Sequence, residues 1–159
     1  MKFVAWILVI LLLALVGGGV YLYMNTNIAI SAIAMATTPA PQWEGPFNEY
    51  KSGLQSGAAL GTIFDPAPIG DINDYVFNTY TVTLSNNSFI PAEMAEVQVV
   101  PVQGDVLQTL TANITNIPAR SSAQIAATVL ARKDVHQVRQ IIVTYYLWGY
   151  YFTLTKTYG

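Results

Sequence analysis

The chain has 159 residues and a formal net charge of −2, and 10% of its residues are charged whereas 53% are hydrophobic. This length allows one domain with an accessory segment. The absence of cysteine excludes a disulfide-stapled scaffold and a zinc–thiolate site.

The first element is an apolar run from Phe3 to Tyr23 that contains no charge and no amide. As a helix it is roughly 31 Å long, which matches the hydrocarbon thickness of a bilayer. Trp6 lies near one end and Tyr21 and Tyr23 lie at the other, where membrane helices favour aromatic residues. Residues 1–24 are therefore predicted to be a transmembrane segment.

This helix has two competing interpretations, a signal anchor and a cleaved signal peptide. The run exceeds the ~7–15 apolar residues of a signal peptide, so its length favours the anchor. Lys2 precedes the span and the next basic residue is Lys51. The positive-inside rule then predicts a single pass through the cytoplasmic membrane, with the N-terminus inside and the C-terminal domain outside. An outward, slightly acidic domain argues against a nucleic-acid partner.

Residues 25–58 are predicted to be an extended juxtamembrane linker. Three interpretations stay open for Ile28 to Ala36: a strand, a buried tether or an interfacial segment. Prolines at positions 39, 41 and 46 indicate an extended spacer after it.

The stretch from Asp65 to Asp74 concentrates acidic side chains and Asn73. Calcium prefers such oxygen ligands, but the spacing fits no known calcium loop. We interpret these residues as turn formers and predict no metal site.

From Tyr75 onward, short alternating runs stop at turn residues every 10–15 positions or so, which is typical of an antiparallel sandwich. With a short strand in Gly61–Asp65, this predicts an all-β, Ig-like antiparallel sandwich of about six or seven strands over residues 59–159, preceded by the transmembrane helix.

The last two runs predict a hairpin with Trp148 and Gly149 at its tip. In this register Tyr145 faces Phe152 on an apolar face, and Tyr146 faces Tyr151 on the other side. A two-residue loop and a four-residue loop both keep the register. Exposed aromatics mark contact sites. Tyr146, Trp148 and Tyr151 are therefore candidate partner-binding residues.

A basic loop supplies a second group of candidate partner-binding residues, which consists of Arg132, Lys133, His136 and Arg139. It is either a solvated loop or a contact for an anionic lipid, polymer or protein. His136 is the sole histidine, and no nucleophile–base motif or phosphate loop accompanies it. We therefore predict no catalytic residue, no cofactor and no enzymatic activity.

The stretches "YTVTLSNNSFIPAEMAEVQVV" and "NIPARSSAQIAATVL" resemble the Ig-like envelope modules of prokaryotes, of the FxLYD and LEA14 type, over roughly residues 75–158. The resemblance implies a domain for adhesion or assembly. Our first hypothesis is a membrane-anchored interaction module that binds a protein partner or itself. A pilin-like filament subunit and a small-ligand or glycan binder are the alternatives.

Overall fold

A computed structural model describes residues 2–109, 114–135 and 138–159. Helix α1 (Lys2–Met24) comes first, and helix α2 (Glu44–Ser56) follows the first strand. Nine strands lie within the described ranges: β1 (Ile28–Pro39), β2 (Gly61–Ile63), β3 (Tyr75–Asn86), β4 (Ala92–Val99), β5 (Asp105–Thr109), β6 (Thr115–Ile117), β7 (Ser121–Arg132), β8 (Arg139–Leu147) and β9 (Tyr150–Tyr158).

Two antiparallel sheets face each other, in the orders β1-β3-β7-β5-β2 and β6-β4-β8-β9. Their inner faces form the main core, in which Tyr80 and Val82 of β3 meet Ile141 and Val143 of β8. This confirms the predicted all-β antiparallel sandwich with an N-terminal apolar helix. The predicted short strand is β2, and the strand number exceeds the predicted six or seven because β1 and the short β6 add to the sheets.

Helix α1 stands apart from the sandwich. The span Phe3–Met24 has a mean hydropathy of 2.7 and is 0% buried. Asn25 and Thr26 end the helix: the Asn25 Nδ2 donates to the Tyr21 carbonyl at 2.9 Å, and the Thr26 Oγ1 donates to the Leu22 carbonyl at 2.9 Å. Only residues 25–27 separate α1 from β1, so the helix is joined closely to the domain.

The segment 25–58 is not the extended linker that the sequence predicted. Of the three interpretations for Ile28–Ala36, the structure shows a strand, since β1 pairs with β3 from Ile28–Asn86 to Pro39–Val76. Its Ile33 and Met35 pack on the main core. Strand β1 is thus an integral edge of the five-stranded sheet.

Helix α2 covers a second, smaller core. Phe47 is 1% exposed, and its ring centroid lies 5.7 Å from that of Tyr75. Tyr50 and Leu54 pack beside it at helical spacing. The helix ends at Gly57, whose φ of 71° suits glycine. The domain therefore begins at β1 rather than at the predicted residue 59.

The strand directions define two ends of the sandwich. The near end adjoins α1 and holds the start of β1, the end of β3 and the tip of the β8–β9 hairpin. The far end holds the start of β3 and the end of β7, where Tyr75 pairs with Arg132.

Candidate functional site

The β8–β9 hairpin has the predicted register. Tyr145 pairs with Phe152, Tyr146 with Tyr151 and Leu147 with Tyr150. Trp148 and Gly149 form the turn with φ values of 52° and 77°. Positive φ at both central positions defines a two-residue type I′ turn, so the structure resolves the choice between the two loops. Trp148 occupies a conformation that β-carbon-bearing residues seldom adopt.

The two faces of the hairpin are less sharply divided than the pattern predicted. Tyr145 is buried and stacks on Phe152 with ring centroids 5.7 Å apart. Phe152 itself is only half-buried, and Tyr150 is 72% exposed although it lies on the apolar side. Strand β9 is an edge strand, so one side of its residues has no neighbouring strand within the described part of the chain.

An aromatic groove lies between the hairpin tip and the end of α1. Its volume is about 840 Å³. The described residues that line it come from the last turn of α1, the connection to β1, the β3–β4 loop and the hairpin: Tyr23, Met24, Thr26, Ile90, Tyr145, Leu147, Trp148, Tyr150, Tyr151 and Phe152. None of these lining residues is charged.

Sequence reasoning missed several members of this groove. It identified Tyr146, Trp148 and Tyr151, of which Trp148 and Tyr151 line the groove. Tyr146 lies beside them, with its ring centroid 5.6 Å from that of Tyr151. Tyr23 escaped notice because only the pairing of β1 with β3 brings the end of α1 to this side. Ile90 escaped notice because only the pairing of β4 with β8 brings the β3–β4 loop beside the hairpin.

Two loops complete the near end. Asn86 is buried, and its Nδ2 donates to the carbonyls of Ile90, Ile117 and Pro118 at 2.8–3.1 Å. The Asn86 Oδ1 accepts hydrogen bonds from the backbone N–H and the Oγ of Ser88. One amide therefore fixes both the β3–β4 loop and the β6–β7 loop.

These loops present a cation beside an aromatic ring. The Arg120 guanidinium lies 4.1 Å from the centroid of Phe89, which is a favourable cation–π distance. Phe89 is 48% exposed. The near end thus shows aromatic surface from both the hairpin and the β3–β4 loop.

The predicted basic group does not form one surface. Arg132 and Lys133 are exposed at the far end, whereas His136 lies outside the described residues. The prediction that Arg139 is a surface contact is corrected. Its Nη2 donates to the Asp105 Oδ1 at 2.8 Å, and both side chains are 0% exposed. The partner Asp105 is 34 positions away in sequence, so no local pattern signals the pair.

The acidic stretch contains turn formers. The Asp65 Oδ1 accepts from the Ala67 backbone N–H at 2.9 Å, and the Asp71 Oδ1 accepts from the Asn73 N–H at 2.8 Å. The hydrogen bonds from Asn73 lower the pKa of the Asp71 carboxyl. Among the described residues, no group of three acidic or histidine side chains is placed to hold a metal ion.

Burial alters titration inside the core. It raises the pKa of the Tyr145 phenol, and it raises the pKa of Tyr80 against the opposing effect of the nearby Arg139 charge. The lining of the groove offers aromatic stacking and apolar contact.

No protein-family model matches the chain, and no curated protein matches it. The structure itself shows a β-sandwich preceded by an apolar helix.

Proposed function

We propose that the chain is a non-enzymatic, membrane-anchored interaction module on the outer side of the cytoplasmic membrane, of the Ig-like FxLYD and LEA14 type that its sequence resembles. One observation carries this proposal: the apolar span Phe3–Met24 is 0% buried and ends three residues before the sandwich. An apolar helix whose side chains are exposed along its length needs lipid or another helix around it.

Protease protection in spheroplasts tests the anchor and its orientation. We expect protease added outside to digest the sandwich and to leave a small membrane-embedded fragment that retains Lys2. Full protection of the sandwich would place it inside. A mature N-terminus beyond Tyr23 would mean that the helix is removed, and either result would overturn the proposal.

The outer edge of β1 supports the interaction part of the proposal. Natural sheets protect their edges with charges, prolines or short strands. Strands β2 and β6 have three residues each, and β9 carries Lys156. By contrast, β1 has 12 residues without a charge, and its proline is the terminal Pro39. The beginning of this edge is partly covered, since the Lys156 Nζ donates to the Ile30 carbonyl at 3.2 Å and the register shifts between Ile30 and Ala32. The remaining edge, residues 32–38, suits the addition of an extended strand from a neighbouring chain.

A matched pair of lysine substitutions tests this edge. Ala34→Lys places a charge on the exposed face of β1, and Gln124→Lys places the same charge at an exposed position of β7, a central strand. We expect Ala34→Lys to abolish co-purification with the partner or self-association on size exclusion, and Gln124→Lys to preserve it. Equal behaviour of the two variants would exclude the β1 edge as the contact.

A filament subunit is the second candidate, because copies of an unburied apolar helix can also pack together in a filament core. Strand exchange in such a filament would require β1 to leave its own partner, β3. Negative-stain images of detergent-extracted protein separate filaments from a discrete complex. A small-ligand or glycan binder is the third candidate, and the aromatic groove is the surface that it would use.

A further inference from the structure

The hairpin tip reaches the level of the last turn of α1. Tyr23 and Met24 of the helix line the same groove as Trp148 and Tyr151 of the hairpin. If α1 spans a bilayer, its last turn lies where hydrocarbon gives way to headgroups. The tip of the hairpin then lies at that same depth.

The side chains at this level are those that membrane interfaces attract. Trp148 is 50% exposed, Tyr150 is 72% exposed and Tyr151 is 59% exposed. Tryptophan and tyrosine combine an apolar ring with a polar group, and they therefore concentrate at the boundary between lipid and water. Each of these rings is at least half exposed, so leaving them in water would expose apolar surface.

Charge is distributed unevenly along the sandwich. Arg120, beside Phe89, is exposed at the near end, where its cation can meet lipid phosphate. The near end also carries the exposed carboxylate of Glu93, a residue that pairs with Tyr146 between β4 and β8. The far end is richer in charge of both signs; its exposed charged residues include Asp71, Asp74, Arg132, Lys133 and Asp134. The two ends thus differ, with aromatic surface beside α1 and a higher density of charge at the far end.

We infer that the near end of the sandwich is a lipid-contact surface, in which the hairpin tip inserts Trp148, Tyr150 and Tyr151 into the headgroup layer of the outer leaflet. This inference rests on the proposed membrane anchor. Continuity with the end of α1 selects lipid over a glycan as the occupant of the groove, because a groove built partly from the membrane helix opens at the bilayer surface.

The fluorescence of the three tryptophans can report depth in the bilayer, because they lie at three different distances along the molecule from its N-terminal end. Trp6 is within the apolar span, Trp148 is at the near end, and Trp43 is at the far end beside Phe77, with ring centroids 5.2 Å apart. Three variants of the full chain each keep one of these tryptophans and carry phenylalanine in place of the other two. Each is reconstituted into phosphatidylcholine vesicles that carry a nitroxide at the headgroup or deep in the acyl chain.

We expect the headgroup nitroxide to quench Trp148 more strongly than the deep nitroxide does, and both to leave Trp43 nearly unquenched. Trp6, near the other end of the apolar span, should be quenched by nitroxide in the opposite leaflet, at the headgroup or in the acyl chain. Quenching of Trp6 without quenching of Trp148 would overturn the lipid contact and leave the anchor standing. An unquenched Trp6 would overturn the anchor itself. Equal quenching of Trp43 and Trp148 would mean that the domain lies flat, which also overturns the inference.

A second measurement does not depend on the tryptophans. The chain has no cysteine, so Tyr150→Cys and Asp134→Cys each accept a single environment-sensitive dye. We expect a blue shift in emission on transfer from detergent to vesicles for the dye at position 150, beyond any shift at position 134. The same shift at both positions, or at neither, would contradict a lipid contact confined to the hairpin tip.

Discussion

The near end of the sandwich is held by a neutral amide and the far end by an ion pair. Asn86 binds two loops at the near end through carbonyl groups and Ser88. At the far end Arg139 binds Asp105, whose Oδ2 also accepts from the Val102 N–H at 2.8 Å. Asn86 and the Arg139–Asp105 pair are both buried. Removing a partner leaves unpaired neutral dipoles at the near end but an unpaired full charge at the far end. The two ends should therefore respond to truncation very differently.

The largest effect should come from removing the segment that links both ends. We expect residues 25–159 to unfold cooperatively in urea, and residues 59–159 to show no such transition. The shorter chain loses β1 along the whole length of β3, together with Phe47 of the second core. Far-UV circular dichroism during the melt measures this. If the two chains showed the same transition, residues 25–58 would not be needed for the fold, as the extended-linker prediction implied.

At the far end, Arg139→Ala should cost about 3–5 kcal/mol of unfolding free energy, because it leaves the buried Asp105 carboxylate unpaired. Arg132→Ala is the matched control. Arg132 is exposed at the same end, so this substitution should change the free energy of unfolding by no more than roughly 0.5 kcal/mol. Denaturant melts at one pH compare them. A loss at Arg139 as small as that at Arg132 would contradict a buried ion pair.

At the near end, Asn86→Ala should cost less, about 1–3 kcal/mol, because it leaves neutral carbonyls without their donor. Asn87→Ala is the neighbouring control, since Asn87 is exposed. A loss at Asn86 larger than that at Arg139 would reverse the ranking of the two ends.

Within the hairpin, Phe152→Ala should cost about 1–2 kcal/mol, since a half-buried ring loses part of the free energy of full burial. Tyr151→Ala should cost at most about 1 kcal/mol for its cross-strand contact with Tyr146. Melts of both variants in one detergent give the comparison. Equal losses above this range would show that a partner covers the exposed face.

The smallest effect concerns alkaline pH. Burial raises the pKa of Tyr80 and Tyr145, so the folded chain holds these protons more tightly than the unfolded chain does. The contribution of these protonated phenols to the free energy of unfolding is complete below about pH 10, the ordinary tyrosine pKa. It is lost as the pH rises towards the pKa values of the folded state. Urea melts between pH 9 and 12 should show a shallower decline in Tyr145→Phe than in the parent chain. An unchanged slope would contradict this.

The sequence predicted the features that depend on local periodicity. Alternation from Val143 to Leu154 fixes the register of the last hairpin, because a shift by one residue would mix its two faces. The length of the apolar run likewise predicts α1. These features need no knowledge of distant partners.

The features that it missed depend on distant partners or run against local preference. Strand β1 is rich in alanine, which is not a favoured strand residue, and its pairing with β3 stabilises it. Helix α2 contains Gly45, Pro46 and Gly53, and its helical form depends on the contacts of Phe47. The groove needs both the α1–β1 connection and the hairpin, so no single segment indicates it.

The three-residue connection between α1 and β1 has a consequence for reach. If α1 is the membrane anchor that we propose, the domain cannot sample a large volume above the membrane, as a domain on a long flexible stalk does. Strand β1 extends roughly 40 Å at about 3.3 Å per residue, which sets the approximate height of the far end. Encounters with other membrane-bound chains then take place in a thin layer, where confinement raises their effective concentration. A weak strand-addition contact that fails in dilute solution can therefore hold between two chains in the same membrane.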